Sequence, residues 1–512
     1  MSEGNDRLTQ RARVWLLAAL AALSFLAYWV LVSLALGAKG SLVYDTKAAV
    51  YRGPLTWPSG WLRLVSISET GRMILYILLM VALTVLWLVA MYLVRRDRRR
   101  VLAYIVFVAF ALFAALFVFG PAFQSRDIFS YAFHGRAMTV YHSNPYLLIP
   151  HARPHDVFYP FIGWRYNASV YGPVFNFVSY VIARAGGGSI ASNVLGFKIL
   201  AFLSYLACLP MVYTLARRVS PGRENLALAM TAWCPILVMH LLGAGHADAF
   251  MIALVLAGYL LYRKGYPLSG IAVVLVAAMI KVTAAIALAP MLVLYVRDRS
   301  GVPLKRLASA AALVVAIPVL LYLPFFQGLR IFDTTRHMFG LTSNTSSQRV
   351  FGYSVERILG FAWVSSAQAA DIAAREAHYL FLAILAIIAI ALFLRVKDFR
   401  TMVGCAAALS LVWVLTSGYA LPWYLAMGIM LGAVTGWNVT TASLVGAASI
   451  FTMYRIPGLP TGATPEPIFW LGGPMLILLA GWLILTFVPA LGRVTASEPV
   501  GVVDGSGALD EG

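Results

Sequence analysis

The sequence predicts an all-α polytopic membrane protein with about 14 transmembrane helices. Three observations carry that reading. The 512 residues are 61% hydrophobic and only 12% charged. The mean hydropathy is +0.83, far above what a surface facing water sustains, which excludes an ordinary soluble enzyme. Apolar runs of roughly 20 residues, one bilayer crossing each, recur along the whole chain, punctuated by short basic turns.

The first run, 14–37, follows Arg7, Arg11 and Arg13. It exceeds the roughly 7 to 15 apolar residues of a signal-peptide core, so it reads as a retained first span. The second and third runs cover 73–94 and 101–119. Between them lies Arg95-Arg96-Asp97-Arg98-Arg99-Arg100, the densest basic turn in the chain. Lys and Arg concentrate in cytoplasmic loops, which places this turn and both termini inside and the segments 39–72 and 124–171 outside. Further basic turns at Arg217-Arg218, Arg263-Lys264, 297–306 and 395–400 repeat the signal. They space spans at 194–216, 225–243, 248–262, 305–325, 377–394, 400–416, 421–436, 438–453 and 468–488. The run 268–296 is too long for one helix and is divided at Lys281-Val282-Thr283, predicting a hairpin of two short helices. The segment 171–185 cannot cross without turning Arg217 outward, so an outer-face or re-entrant helix ending at Gly186-Gly187-Gly188 is expected. The chain then comprises one body, 1–494, with the outer loop 124–171, and a polar, mildly acidic cytoplasmic tail, 495–512, expected to be disordered. Cys208, Cys234 and Cys405 lie singly in apolar runs and imply neither a disulfide framework nor a zinc site.

The polar residues that topology leaves unexplained fall on the outer side. As a helix, Ser125-Arg126-Asp127-Ile128-Phe129-Ser130-Tyr131-Ala132-Phe133-His134-Gly135-Arg136 puts Asp127, Tyr131 and His134 on one face. Ser125 reads as its N-cap and Asp127 lies in the first turn, where free backbone amides favour a carboxylate. Such a carboxylate suits a general base; helix capping with an ion pair to Arg126 or Arg136 is the alternative. Asn144-Pro145-Tyr146 and Tyr171-Gly172-Pro173 bracket a loop rich in aromatic residues, which stack on sugars or sit at the membrane interface. In Gly245-His246-Ala247-Asp248 one polar residue caps the next helix and the other faces a site, or both serve the turn alone. Lys281, at the tip of the hairpin, is costly at that depth unless it meets a partner such as a phosphate or snorkels to the interface. Arg330, Arg336, His337 and Arg349 form a basic outer segment suited to phosphate or to solvent. Trp423 and Tyr424 open a later outer turn.

In this order, Ser125-Arg126-Asp127, Gly135-Arg136, Asn144-Pro145-Tyr146, Tyr171-Gly172-Pro173, Gly245-His246-Ala247-Asp248 and Pro422-Trp423-Tyr424 resemble the GT-C superfamily of integral-membrane glycosyltransferases. More narrowly, the chain is similar to the polyprenol-phosphate-mannose-dependent alpha-1,6-mannosyltransferases of mycobacteria and their relatives. The resemblance spans 101–436. It implies a GT-C-like fold and inverting transfer of a sugar, most often mannose, from a polyprenyl phosphate to a lipid-linked or polymeric glycan outside the membrane. It also implies Asp127 as the catalytic base and His246 and Asp248 beside the substrate.

The chemistry needs a base for the acceptor and cations for the departing phosphate. Lys281, Arg330 and Arg336 are the candidates for the second role. Arg126, Tyr131, His134, Arg136, Asn144, Tyr146, Tyr171, His246, Asp248, Trp423 and Tyr424 are the candidates for substrate contact. No Gly-rich nucleotide loop is found. The carboxylates and histidines match no metal-ligand spacing, so no cofactor is assigned, although a divalent ion stays open. The net charge of +19 is assigned to topology and lipid phosphate, not to nucleic acid. Two other readings compete: a lipid or glycan flippase with charges lining a path, and an O-antigen ligase or polymerase acting on a polyprenyl pyrophosphate through the 330–349 segment.

Overall fold

In a computed structural model, residues 2–37, 68–298, 303–343, 345–360, 366–454 and 466–488 are described. The expected tail 495–512 and most of the expected outer loop 39–72 lie outside these residues. The described chain is an all-α membrane protein. In order it forms α1 (Ser2–Gly37), α2 (Glu69–Val94), α3 (Arg100–Val118), α4 (Asp127–Thr139), α5 (Pro173–Gly186), α6 (Ile190–Val219) and α7 (Glu224–Ala232). The second half holds α8 (Asp248–Arg263), α9 (Pro267–Ala278), α10 (Ala285–Arg297), α11 (Pro303–Tyr322), α12 (Asp333–Phe339), α13 (Ser347–Gly360) and α14 (Ser366–Leu394). It ends with α15 (Phe399–Thr416), α16 (Leu425–Thr435), α17 (Val439–Phe451) and α18 (Glu466–Phe487).

Seven helices among the described residues are long and apolar enough to cross a bilayer, or eight when the bent pair 224–243 is taken as one span. Five shorter apolar helices accompany them. The expected count of about 14 is therefore not reached by long helices alone. The expected span 225–243 is not continuous. Pro235, which has no N–H to donate, follows α7 after a two-residue break, and the chain bends by 47° into a π-helical turn, Val238–Gly243. The run 268–296 divides as expected, with α9 and α10 separated by Lys281 and a 3-10 turn at Val282–Ala284. Segment 171–185 forms α5, which ends at Gly186 and packs on α4.

The interior is built by α6, α7, α8, α15 and α16, which contact one another and are apolar on nearly every face. By contrast α11 exposes Leu304, Val315 and Leu320, as a helix bathed in lipid tails does. Polar side chains inside the bundle satisfy backbone groups that no water can reach. The Trp87 indole donates to the Ala229 carbonyl at 3.2 Å, joining α2 to α7. At the basic turn, Arg99 pairs with Asp97 at 2.6 Å, and Asn225 of α7 donates to the Asp97 carbonyl at 2.7 Å. These bonds fix the end of the bundle opposite α4.

Candidate functional site

The corner between α3 and α4 is held from three sides. Lys198, fully buried in α6, donates at 2.7 Å to each of the carbonyls of Phe117, Gly120 and Pro121. A cation at the last carbonyls of a helix also complements its dipole. The Phe123 amide donates to the Gly243 carbonyl at 3.0 Å. Gln124 adopts a left-handed backbone, φ 61°, and its side chain reaches Tyr76 at 2.7 Å. The chain then enters α4 at Asp127. The helix begins one residue later than Ser125 would cap it, but the Ser125 hydroxyl still accepts the Asp127 amide at 3.2 Å.

Two glycines bring the other segments to this corner. Gly245 has φ +66°, and a Cβ there would lie 2.7 Å from Ile128 of α4. Only glycine accepts both conditions, so the turn carrying His246 lies directly on α4. Gly172 donates to the Ile280 carbonyl at 2.9 Å, and a Cβ on it would overlap the Met279 carbonyl at 2.0 Å. That contact sets Tyr171 beside Lys281.

The result is a cavity of about 470 Å³ whose lining includes Arg126, Asp127, Tyr131, His134, Trp164, Tyr171, Lys281, Tyr419, Trp423, Tyr424 and Tyr454. One oxygen of Asp127, Oδ1, accepts the Trp164 indole N–H at 3.1 Å. The other, Oδ2, lies 3.7 Å from His246 Nδ1. Tyr131 Oη is 3.3 Å from the same nitrogen and 3.1 Å from Tyr171 Oη. His246 stacks on Trp423 with ring centroids 4.0 Å apart. Lys281 Nζ donates to both oxygens of Asp248 at 2.9 Å and sits 4.5 Å from the centre of the Tyr424 ring.

Burial dominates the electrostatics. It raises the Asp127 carboxyl above the ordinary carboxylate range, against the Trp164 hydrogen bond and the Lys281 charge, which lower it. It pushes His246 well below the usual imidazole range, helped by His240 and Lys281, and brings His134 down to about 3. Both rings are therefore neutral at physiological pH, and Asp127 is a stronger base than an exposed aspartate.

The structure gathers most, but not all, of the residues singled out from the sequence. Asp127, Arg126, Tyr131, His134, Tyr171, Lys281, Trp423 and Tyr424 line the cavity, with His246 and Asp248 bonded directly behind the lining. Arg136 does not reach it, because its guanidinium is held by buried Asp156 at 2.9 Å. Asn144 ties its own loop, donating to the Phe325 carbonyl at 2.7 Å, and Tyr146 packs against Tyr322 and Phe325. Arg330 and Arg336 are exposed, and Arg336 faces Asp333 at 3.4 Å. Trp164 and Tyr454 belong to the cavity although nothing in their sequence context separated them from interface aromatics. Among the described residues no three His, Cys, Asp or Glu side chains converge as metal ligands.

Residues 17–297 match the family model described as Alpha-(1->6)-mannopyranosyltransferase, N-terminal domain. This stretch contains Asp127, Trp164, His246, Asp248 and Lys281. The chain is 31% identical over 219 residues to Alpha-(1->6)-mannopyranosyltransferase A of Mycobacterium tuberculosis, covering 41% of each protein. It is 28% identical over 179 residues to the protein of that name from Corynebacterium glutamicum, covering 33% of this chain and 35% of the relative. A third relative, Alpha-(1->6)-mannopyranosyltransferase B of Corynebacterium glutamicum, is 28% identical over 156 residues, 30% of this chain and 25% of the relative. The matched stretches thus span less than half the length of these curated relatives. With more than half of its length matched by the model, the chain belongs to the alpha-(1->6)-mannopyranosyltransferase family.

Proposed function

We propose that the protein transfers a mannosyl group from a polyprenyl phosphate to a hydroxyl of a lipid-linked or polymeric glycan, with inversion at the anomeric carbon. The observation that carries this reading is that a carboxylate of raised basicity, Asp127, and a cation, Lys281, line one aromatic-walled cavity. The acceptor oxygen attacks the anomeric carbon while its proton passes to Asp127. The bond from that carbon to the phosphate oxygen breaks, and its electron pair leaves with the polyprenyl phosphate. Two of the three Lys281 N–H groups are engaged by Asp248; the third remains to meet the developing phosphate charge. Tyr419, Trp423 and Tyr424 offer aromatic faces to the sugar rings. Thr335 and Met338, on either side of Arg336 in sequence, line the cavity, and in this reading the exposed Arg330 and Arg336 draw the anionic donor toward its mouth.

The basic turn at 95–100 supports an extracytoplasmic site, since Asp127 follows the opposite end of α3. The neutral state of His134 and His246 and the pairing of Lys281 favour proton transfer over a path for charged cargo.

The test is an assay of the purified full-length chain with polyprenyl-phosphate-mannose and an α-mannoside acceptor, wild type against Asp127→Asn. Loss of on the order of a hundredfold or more in kcat is expected for removal of a general base. Transfer at the wild-type rate would exclude Asp127 from that role. For sidedness, a cysteine introduced at Arg98 is expected to react with an impermeant thiol reagent only from the cytoplasmic side.

A further inference from the structure

We propose that Trp164 is a positioning residue for this reaction: its indole N–H holds Oδ1 of Asp127, so that Oδ2 is the oxygen turned to the acceptor hydroxyl. The inference rests on the reading of Asp127 as the base.

Three observations support it. The Nε1 to Oδ1 distance is 3.1 Å, and an indole N–H only donates, so this bond can stabilise only the anion or the unprotonated oxygen of the acid. Trp164 is half-buried in the cavity wall and meets the Tyr419 ring edge-on at 6.1 Å, which restrains the indole from the 417–421 side. His246 Nδ1 stands 3.7 Å from Oδ2, beyond hydrogen-bond length. A carboxylate turns readily about its last bond; with Oδ1 tied to the indole and the Ser125 hydroxyl also bonded to the carboxyl, it is held in one orientation, which is the preorganisation a proton acceptor needs.

The other groups that act on Asp127 come from every neighbouring segment. Ser125, whose hydroxyl bonds the carboxyl, Arg126 and Tyr131 lie on or beside α4; His246 and Asp248 come from the turn before α8; Lys281 comes from the hairpin tip. Tyr171, Tyr419, Tyr424 and Tyr454 close the remaining sides. None of these is altered when the indole nitrogen alone is replaced.

The experiment replaces Trp164 site-specifically with β-(3-benzothienyl)alanine, which keeps the bicyclic shape and lacks the N–H, alongside Trp164→Phe. Initial rates of mannosyl transfer are followed from acidic to neutral pH with the reconstituted full-length protein. Because the ionised carboxylate is the active form, activity is lost as pH falls through its pKa; losing a donor to the anion raises that pKa. The acidic limb of kcat is expected to move up by about one pH unit, and the plateau kcat to fall about tenfold, with acceptor KM within about twofold. An unchanged limb and plateau in the benzothienyl variant would overturn the inference, as would a rise in KM alone, which marks a sugar platform. If Asp127→Asn itself transfers mannose normally, the reading of the base fails; if Asp127→Asn is inactive and the benzothienyl variant is normal, only the role of Trp164 fails.

Discussion

His246 lies nearly parallel to Trp423, ring centroids 4.0 Å apart at an interplanar angle of 24°, with Nδ1 directed at Tyr131 and Asp127. Stacking locks the plane of the imidazole, and the plane decides where its nitrogen points. His246→Phe preserves the stack and removes the nitrogen. Tyr131 then keeps Tyr171 and the Ala247 backbone as partners. A lost hydrogen bond of ~1.4 kcal/mol corresponds to about tenfold in rate, so kcat is expected to fall by about that factor with little change in donor KM, measured by initial-rate kinetics.

Asp127 also has a stability signature. Its folded-state carboxyl is raised above the unfolded value by burial. For a group raised in this way, folding favours the protonated acid, and stability is lost as pH rises through the folded-state pKa. At neutral pH the ionised Asp127 is therefore a cost to the fold. Asp127→Asn, which keeps an oxygen for the Trp164 N–H, is expected to match or exceed the wild-type thermal midpoint at neutral pH. Below the unfolded carboxylate pKa of about 3.9 that advantage should vanish. A lower midpoint for Asp127→Asn at neutral pH would show that ionised Asp127 stabilises the fold instead.

Lys281 and Asp248 form a mostly buried pair, with side chains 12% and 4% exposed. Breaking such a pair from one side leaves the other charge stranded, at a cost of about 3–5 kcal/mol. Lys281→Met and Asp248→Asn are each expected to lower the thermal midpoint, and the double variant to recover most of that loss. If Lys281 holds the donor phosphate, the double variant still shows a raised donor KM. Stability restored together with normal donor KM would leave Lys281 a purely structural role.

The spans, the hairpin at Lys281 and the shared face of Asp127, Tyr131 and His134 were legible because they depend on residue type and local periodicity. The rest depends on contacts between distant segments. Trp164 reads as one more interface aromatic until its N–H is seen on Asp127, 37 positions away. Arg136 ends a polar helix face and so looks like a substrate contact, yet its partner is Asp156 in the following loop. The bend at Pro235 is signalled by the proline, but the apolar run on either side of it hides the break. Lys198 is the clearest case: its three acceptors are backbone carbonyls 77 to 81 positions away, and a carbonyl leaves no mark in a sequence.

Lys198 supplies the sharpest test of how the site is built. Its ammonium is fully buried and engages the carbonyls of Phe117, Gly120 and Pro121, the residues through which α3 leads to Asp127. Its stem also passes within 3.5 Å of where a Cβ on Gly245 would stand, so one side chain braces both segments that converge on Oδ2. Lys198→Met keeps the stem and removes the donors. Each buried acceptor left without a donor costs about 1–3 kcal/mol, so a loss of roughly 3 kcal/mol or more is expected, seen as a lower thermal midpoint in detergent. Because the corner that aims Asp127 loosens at the same time, kcat should fall below wild type even at temperatures where the variant stays folded. A variant with an unchanged midpoint and unchanged kcat would mean that the corner is held by the Phe123 and Gln124 hydrogen bonds alone, and that the buried ammonium braces nothing.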